Sequence, residues 1–278
     1  MVYLGIEPYT LVISNFEFKA ATHFHMKTNK QETPILKSVD ESEVRKFNSL
    51  AEEWWNPKGK FKPLHQMNPT RLDYINSQIM LEFNRDLTET IPFKGISILD
   101  IGCGGGLLTE PMARLGANVH GIDVAEKNVL VAKEHARNLG LDIKYEKTSS
   151  EELAETDVKF DVVLCLEVIE HVHDPQEFLF SCRKLLTSEG MFICSTLNRN
   201  AKSFMMAIVG AEYFLRMLPV GTHDWGKFVK PEELKTMLGT AGLDMVDLKG
   251  FVYNPFFSEW SISDRDFDVN YITTSVVS

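Results

Sequence analysis

The sequence predicts an α/β fold built on a doubly wound, mostly parallel sheet. Short apolar runs that read as strands alternate with helical stretches of about 10–15 residues, the pattern of strand–helix–strand units. A glycine-rich turn, 99-LDIGCGGGLL-108, follows the first of these runs and opens a helix. The run 160-FDVVLCL-166 is apolar almost throughout, as a strand covered on both faces requires.

Taken in order, residues 1–38 read as a flexible N-terminal extension, with one folded domain over 39–278. The segment 1-MVYLGIEPYTLVISNF-16 holds Glu7 and no basic residue, which fits neither a secretory leader nor a mitochondrial presequence. N-terminal helices follow over residues 40–90, where 42-SEVRKFNSLAEEWW-55 repeats apolar positions at helical spacing and Ser42 is the expected N-cap. A strand at 96–102 leads through the glycine turn into a helix at 107–115, closed by Gly116. Next come a strand at 118–123, a helix at 125–140 and a strand at 141–147. The buried strand 160–166 precedes a helix at 175–187 that opens with Pro175, then a fifth strand at 191–196. A helical insertion over about 199–228 comes next. The helix 231–242 has Pro231 at its start and Gly242 at its end. Strands at 243–253 and 268–277 complete a seven-stranded sheet.

Composition narrows the function classes. Lys and Arg total 29 against 39 Asp and Glu, a net charge of −10, so a nucleic-acid partner is not expected. Four cysteines without CxxC spacing, in apolar surroundings, read as buried reduced thiols. A membrane span needs about 20 apolar residues. The longest apolar stretch, 203–219, is interrupted by Glu212 and Arg216.

The glycine turn admits few cofactors. In the dinucleotide pattern G-x-G-x-x-G, the third glycine falls on Leu107 or Thr109 in the two frames, so both fail. There is no G-x-x-x-x-G-K-[ST], which removes a nucleotide triphosphate cradle. What stands is acid-x-G-x-G-x-G: Asp100, Gly102, Gly104 and Gly106. Asp123 ends the next strand, where a carboxylate is able to accept from both hydroxyls of a ribose; helix capping is the other reading. The turn resembles the first motif of class I S-adenosylmethionine-dependent methyltransferases.

Further segments resemble a narrower family, the ubiquinone-biosynthesis O-methyltransferases. They are 54-WWNPKGKFKPLHQMNPTRLDYI-75, 98-ILDIGCGGGLLTEPMARLGANVHGID-123, 167-EVIEHVHDP-175, 195-STLNRN-200, 208-IVGAEYFLRMLPVGTHDWGKFVKP-231 and 268-DVNY-271. The resemblance implies a Rossmann-like class I fold, S-adenosylmethionine as methyl donor and polyprenylated catechol or demethylubiquinol substrates. It also implies work beside other enzymes of that pathway. Position by position, Arg71 would pair with the cofactor carboxylate. Gly102 would line its methionine portion, Asp123 its ribose, and Leu166 the pocket beside the adenine and methionine moieties, where the family carries Met or Ser; Asp100 and Gly104 of the turn would also bind the cofactor.

The chemistry needs a proton acceptor, because a phenol has a pKa of about 10 and attacks poorly until deprotonated. The segment 167-EVIEH-171 offers two catalytic readings. In one, Glu167, Glu170 and His171 hold a divalent cation, magnesium by resemblance to the mitochondrial members, that acidifies the phenol. In the other, Glu170 or His171 is the general base. A solvated loop and helix cap is the bland alternative. His65, His223 with Asp224, Asn198 and Arg199 are weaker candidates, and Trp54 and Trp55 read as core or lid packing.

The apolar stretch 203–218 reads either as a buried helix or as a hydrophobic contact with a membrane surface or a polyprenyl tail. A cytoplasmic protein, peripheral on the inner membrane, or on the matrix face in a mitochondrion, is the expected location. Methylation of another small phenol or acid, and a catalytically silent cofactor-binding scaffold, are the competing functions.

Overall fold

The apolar runs pair into one sheet, and an eighth strand joins its edge. The computed structural model describes residues 38–86, 88–204, 224–257 and 259–278. The strands are β1 (Ser97–Ile101), β2 (Asn118–Asp123), β3 (Lys144–Lys147), β4 (Phe160–Leu166), β5 (Leu186–Leu197), β6 (Leu243–Asn254), β7 (Glu259–Ser263) and β8 (Asn270–Val277). They lie side by side in the order β3-β2-β1-β4-β5-β8-β6-β7. Pairing is parallel from β3 to β5 and antiparallel beyond. The chain steps outward from β1 to β3 and then returns to β4 on the other side of β1. Such a reversal opens a crevice at the carboxyl ends of β1 and β4, where ligands bind in open α/β sheets.

The helices are α1 (Glu41–Leu50), α2 (Lys62–Glu82), α3 (Thr109–Arg114), α4 (Glu126–Asn138), α5 (Ser150–Ala154), α6 (Pro175–Lys184), the single turn α7 (Ala201–Ser203) and α8 (Pro231–Thr240). Alternation along β4 sends its side chains into two apolar layers. Val163 and Cys165 join Phe178 and Leu179 of α6 and Leu234 and Leu238 of α8. Val162 and Leu164 join Ile75 and Ile79 of α2 and Met112 of α3. Both faces of the central strands are thus covered, which is why those strands read as continuous apolar runs.

Several expected boundaries move for local reasons. The N-cap of α1 is Asp40, whose carboxylate accepts from the Ser42 amide, so the helix starts ahead of Ser42. Leu107 and Leu108 belong to the turn and α3 starts at Thr109. Strand β7, 259-EWSIS-263, was not expected. It pairs only with β6 at the sheet edge, after a turn in which the Asn254 side chain accepts from the amides of Phe256 and Phe257. Ser38 is buried and its hydroxyl donates to Glu151, which moves the end of the expected extension to before this residue. Residues 1–37 and 205–223, holding the rest of that extension and the middle of the expected insertion, lie outside the described residues. All four cysteines are buried and free. Among the described residues no helix is long and apolar enough to cross a membrane.

Candidate active site

The glycine turn leaves β1 at the reversal point. Gly102, Gly104 and Gly106 have φ of +68°, +54° and +96°, a region that a side chain makes costly. The expected reason for these glycines was close approach of a ligand. A second reason is visible at Gly104, where a Cβ would lie 2.3 Å from the ring of Trp54. Trp54 stacks on Phe61 at 3.9 Å and donates from Nε1 to Asn128 Oδ1 at 2.9 Å, while Trp55 Nε1 donates to the Gly105 carbonyl. Both tryptophans therefore pack against the turn, and Trp54 also lines the cavity described below.

Beneath the turn, charge is buried without full pairing. Asp100 is 2% exposed and its Oδ2 has no hydrogen-bond partner. Burial, reinforced by the neighbouring Asp123, pushes its carboxyl up to about 8 against the pull of Arg71. Arg71 is 4% exposed; Nη2 lies 3.0 Å from Glu167 Oε1, yet Nε and Nη2 lack a well-directed hydrogen-bond acceptor. Asp123 is engaged already. Oδ1 accepts from the Ala125 amide at 2.7 Å, and Oδ2 accepts from the Gly104 amide at 3.0 Å and Asn128 Nδ2 at 3.1 Å. It ties the glycine turn to the start of α4 but does not cap that helix, whose N-cap is Ala125 without a side-chain cap hydrogen bond, so the capping role weighed from the sequence is not the one it plays. A carboxylate has about four acceptor positions, which leaves one open.

The loop after β4 brings the acidic segment to the same cavity. Glu167 holds φ +57°, an unusual conformation for a residue other than glycine. Its Oε1 accepts from the Ser195 hydroxyl at 2.7 Å in addition to facing Arg71. Glu170 is buried; Oε2 accepts from the Thr196 hydroxyl at 2.8 Å and Oε1 has no partner. Burial first, and the nearby Glu167 second, raise this carboxyl to about 7. His171 Nδ1 lies 3.0 Å from Glu43 Oε2 of α1.

The expected cation set is not assembled in this arrangement. Glu167 is turned to Arg71 and Ser195, Glu170 to Thr196 and His171 to Glu43. Among the described residues no three His, Cys, Asp or Glu side chains stand close enough together to hold a metal ion.

One cavity collects Arg71, Asp100, Gly102, Asp123, Leu166, Glu167, Glu170 and His171 along its wall. Gly104 stands just outside that lining, under Trp54. The weaker candidates have structural partners. His65 Nε2 bonds the Trp54 carbonyl, Asn198 donates to the Phe267 carbonyl, and Arg199 reaches the carbonyls of Gly226 and Phe228 as well as Glu233. Asp224 caps the turn at Trp225–Lys227, and His223 lies outside the described residues.

Glu43 and Asn128 were missed from the sequence. Asn128 was findable, because it interrupts the buried stripe Val129, Ala132 and Ala136 of α4. Glu43 is one of several acids on a polar helix, and nothing in its spacing sets it apart.

A methyltransferase domain family matches residues 99–194, the span from β1 to β5. Among solved structures, magnesium protoporphyrin IX methyltransferase from Synechocystis with bound SAH superposes with a TM-score of 0.62 at 21% identity. That match covers 86% of this chain and 100% of the other. The plantazolicin methyltransferase with SAH gives a TM-score of 0.57 at 19% identity, over 86% of this chain and 91% of the other. At such identities these likenesses establish the fold. The ubiquinone biosynthesis O-methyltransferase of Cereibacter sphaeroides is 60% identical over 239 residues, 86% of this chain and 97% of that protein. The protein of the same name from Dinoroseobacter shibae is 57% identical over 251 residues, 90% of this chain and 99% of that protein. With that identity sustained along nearly the whole of both relatives, the chain belongs to the ubiquinone biosynthesis O-methyltransferase family.

Proposed function

We infer that this chain methylates a phenolic hydroxyl of a polyprenylated catechol or demethylubiquinol, with S-adenosylmethionine as donor. The observation that carries the cofactor assignment is the incompletely paired charge at the glycine turn. A buried guanidinium with free N–H groups and a buried carboxylate with a free oxygen complement the carboxylate and ammonium of an amino acid. Arg71 would hold the first and Asp100 the second. Asp123 would meet the ribose through its remaining acceptor position, and Leu166 would line the wall. When bound, S-adenosylmethionine supplies a methyl group on a cationic sulfur, open to in-line attack.

The chain itself must place the phenol and remove its proton. His171 suits the second task better than Glu170, since its side chain is 18% exposed and Glu170 as a residue only 3%. Glu170, buried on the Thr196 hydroxyl with its other oxygen unpartnered, is the alternative acceptor. A second reading keeps the cation, because the unpartnered Oε1 of Glu170 leaves an oxygen for magnesium. It requires Glu167 to turn from Arg71, while His171 keeps Nδ1 on Glu43 and offers Nε2.

The deciding experiment measures methyl transfer to a short-chain demethylubiquinol by wild type and His171→Ala, each with and without chelator. On the base reading the chelator changes nothing and His171→Ala loses about 100-fold or more. Loss on chelation, restored by magnesium, favours the cation. A rate indifferent to both changes overturns both. The membrane contact proposed for 203–218 is tested separately, by sedimentation with vesicles after Met205, Met206 and Phe214 are changed to Asp. Unchanged vesicle binding removes that proposal.

A further inference from the structure

We propose that Glu43 of α1 is the positioning residue for His171, so that closing α1 over the cavity and aligning the base are a single event. The proposal rests on His171 being the acceptor of the phenolic proton. Glu43 Oε2 stands 3.0 Å from Nδ1, and Phe47, one helical turn further along, meets the imidazole edge-on at 5.3 Å between ring centres. Together they fix the plane of the ring and its tautomer. A carboxylate at Nδ1 holds the proton on that nitrogen and leaves the Nε2 lone pair to accept another. His171 itself sits at the end of a three-residue turn, Ile169–His171, which gives the ring little support of its own.

The same helix roofs the site. Glu43, Val44 and Phe47 of α1, and Val39 and Asp40 just before it, line the cavity. Yet α1 has no buried residue of its own. It is tied down by polar contacts, Asp40 to Lys227 at 3.0 Å and Asn48 Oδ1 to the Lys127 amide at 2.9 Å, and at its end by half-buried Leu50, which packs on Ala51, Trp54 and Phe61. A ten-residue helix is marginal alone, and one with no fully buried residue and its apolar anchor at the Leu50 end swings up from its N-terminal end at low cost. Lifting α1 admits ligands and removes Glu43 from His171; seating it restores the pair and excludes water from the reacting oxygen. The base is therefore correctly set only when the cavity is covered.

Single-turnover methyl transfer tests this, with SAH affinity by calorimetry as the check on folding and cofactor binding. Glu43→Ala should slow transfer about 10- to 100-fold, less than loss of the base itself. SAH affinity and the KM for the phenol should stay within about two-fold. Glu43→Gln keeps an oxygen that accepts from Nδ1–H, and should recover part of the rate. Glu41→Gln, an exposed change on the same helix, should match wild type. In a His171→Ala background, Glu43→Ala should cost nothing more. The proposal is overturned if Glu43→Ala transfers at the wild-type rate, if its loss appears only in KM, or if the loss persists without His171. If His171→Ala is itself fully active, the base reading fails first. An inactive His171→Ala beside a fully active Glu43→Ala removes this inference alone.

Discussion

Arg71 and Glu167 meet at the cavity wall, Nη2 to Oε1 at 3.0 Å, one brought by α2 and the other by the loop after β4. Their contact joins the N-terminal helices to the carboxyl edge of the sheet. It also holds Glu167 at φ +57°, a conformation that costs a residue with a Cβ about 1–2 kcal/mol. The arrangement keeps a guanidinium buried beside the glycine turn with N–H groups to spare.

Those spare donors predict how Arg71→Lys will behave. Lysine keeps the charge facing Glu167 but loses the planar fork that engages a carboxylate. Losing a charged hydrogen bond is worth about 1.5–3 kcal/mol, so SAH should bind roughly ten-fold or more weakly by calorimetry. An SAH analogue lacking the amino-acid carboxylate should bind wild type and variant alike. Equal weakening for both ligands would place the role of Arg71 in the fold and not in cofactor recognition.

Asp100→Asn should trade binding for stability. The folded carboxyl titrates at about 8 against an ordinary 3.8, mainly because it is buried, so the ligand-free fold retains a proton that the unfolded chain gives up. Stability from this residue is complete below about pH 4 and is lost as pH rises towards 8. The amide removes that loss. Ligand-free Asp100→Asn should melt above wild type at pH 8, by about 2–4 °C for each kcal/mol relieved, and the gap should shrink at pH 5. Its affinity for SAH should fall, since the ammonium loses its anion.

The sheet was legible because continuous apolar runs, buried on both faces, and the turn signals between them agree along the central strands, and the reversal at β1 put the site at a known edge. Arg71, Asp100 and Glu170 were named from motif residues, and all three reach one cavity. The conformational part was not legible. Nothing in 41-ESEVRKF-47 distinguishes Glu43 from Glu41, because their difference is a tertiary contact with His171 across the fold. The cation set looked complete at i, i+3 and i+4, yet the 3₁₀ turn and the positive φ of Glu167 send its members to different partners. β7 was missed because an edge strand carries no buried alternation; its five residues are exposed or half-buried.

Gly104→Ala separates the two reasons for glycine in the turn. The positive φ costs about 1–2 kcal/mol for alanine. Overlap with Trp54, whose ring lies 2.3 Å from the ideal Cβ, adds about 1–3 kcal/mol of overpacking. Urea denaturation should show the sum in the single variant. Adding Trp54→Ala to Gly104→Ala should cost less than Trp54→Ala does in wild type, by the overlap share. Strict additivity of the two changes would mean that the ring moves aside freely.

Glu170→Gln should flatten the pH dependence of stability near neutrality. The folded carboxyl is raised to about 7 from 4.5, by burial and then by Glu167, so the folded state keeps a proton that the unfolded state releases earlier. The favourable contribution is whole below about 4.5 and disappears as pH climbs through 7. Ligand-free wild type should therefore lose melting temperature between pH 5 and 7.5, with Asp100 adding a loss that continues towards 8. Glu170→Gln should lose less over the lower part of that range, because its amide cannot ionise and its oxygen still accepts from Thr196. Parallel curves for the two proteins would show that Glu170 is ionised throughout. A charged carboxylate with one oxygen unpartnered in a buried wall would then need a cation beside it, which returns weight to the metal reading.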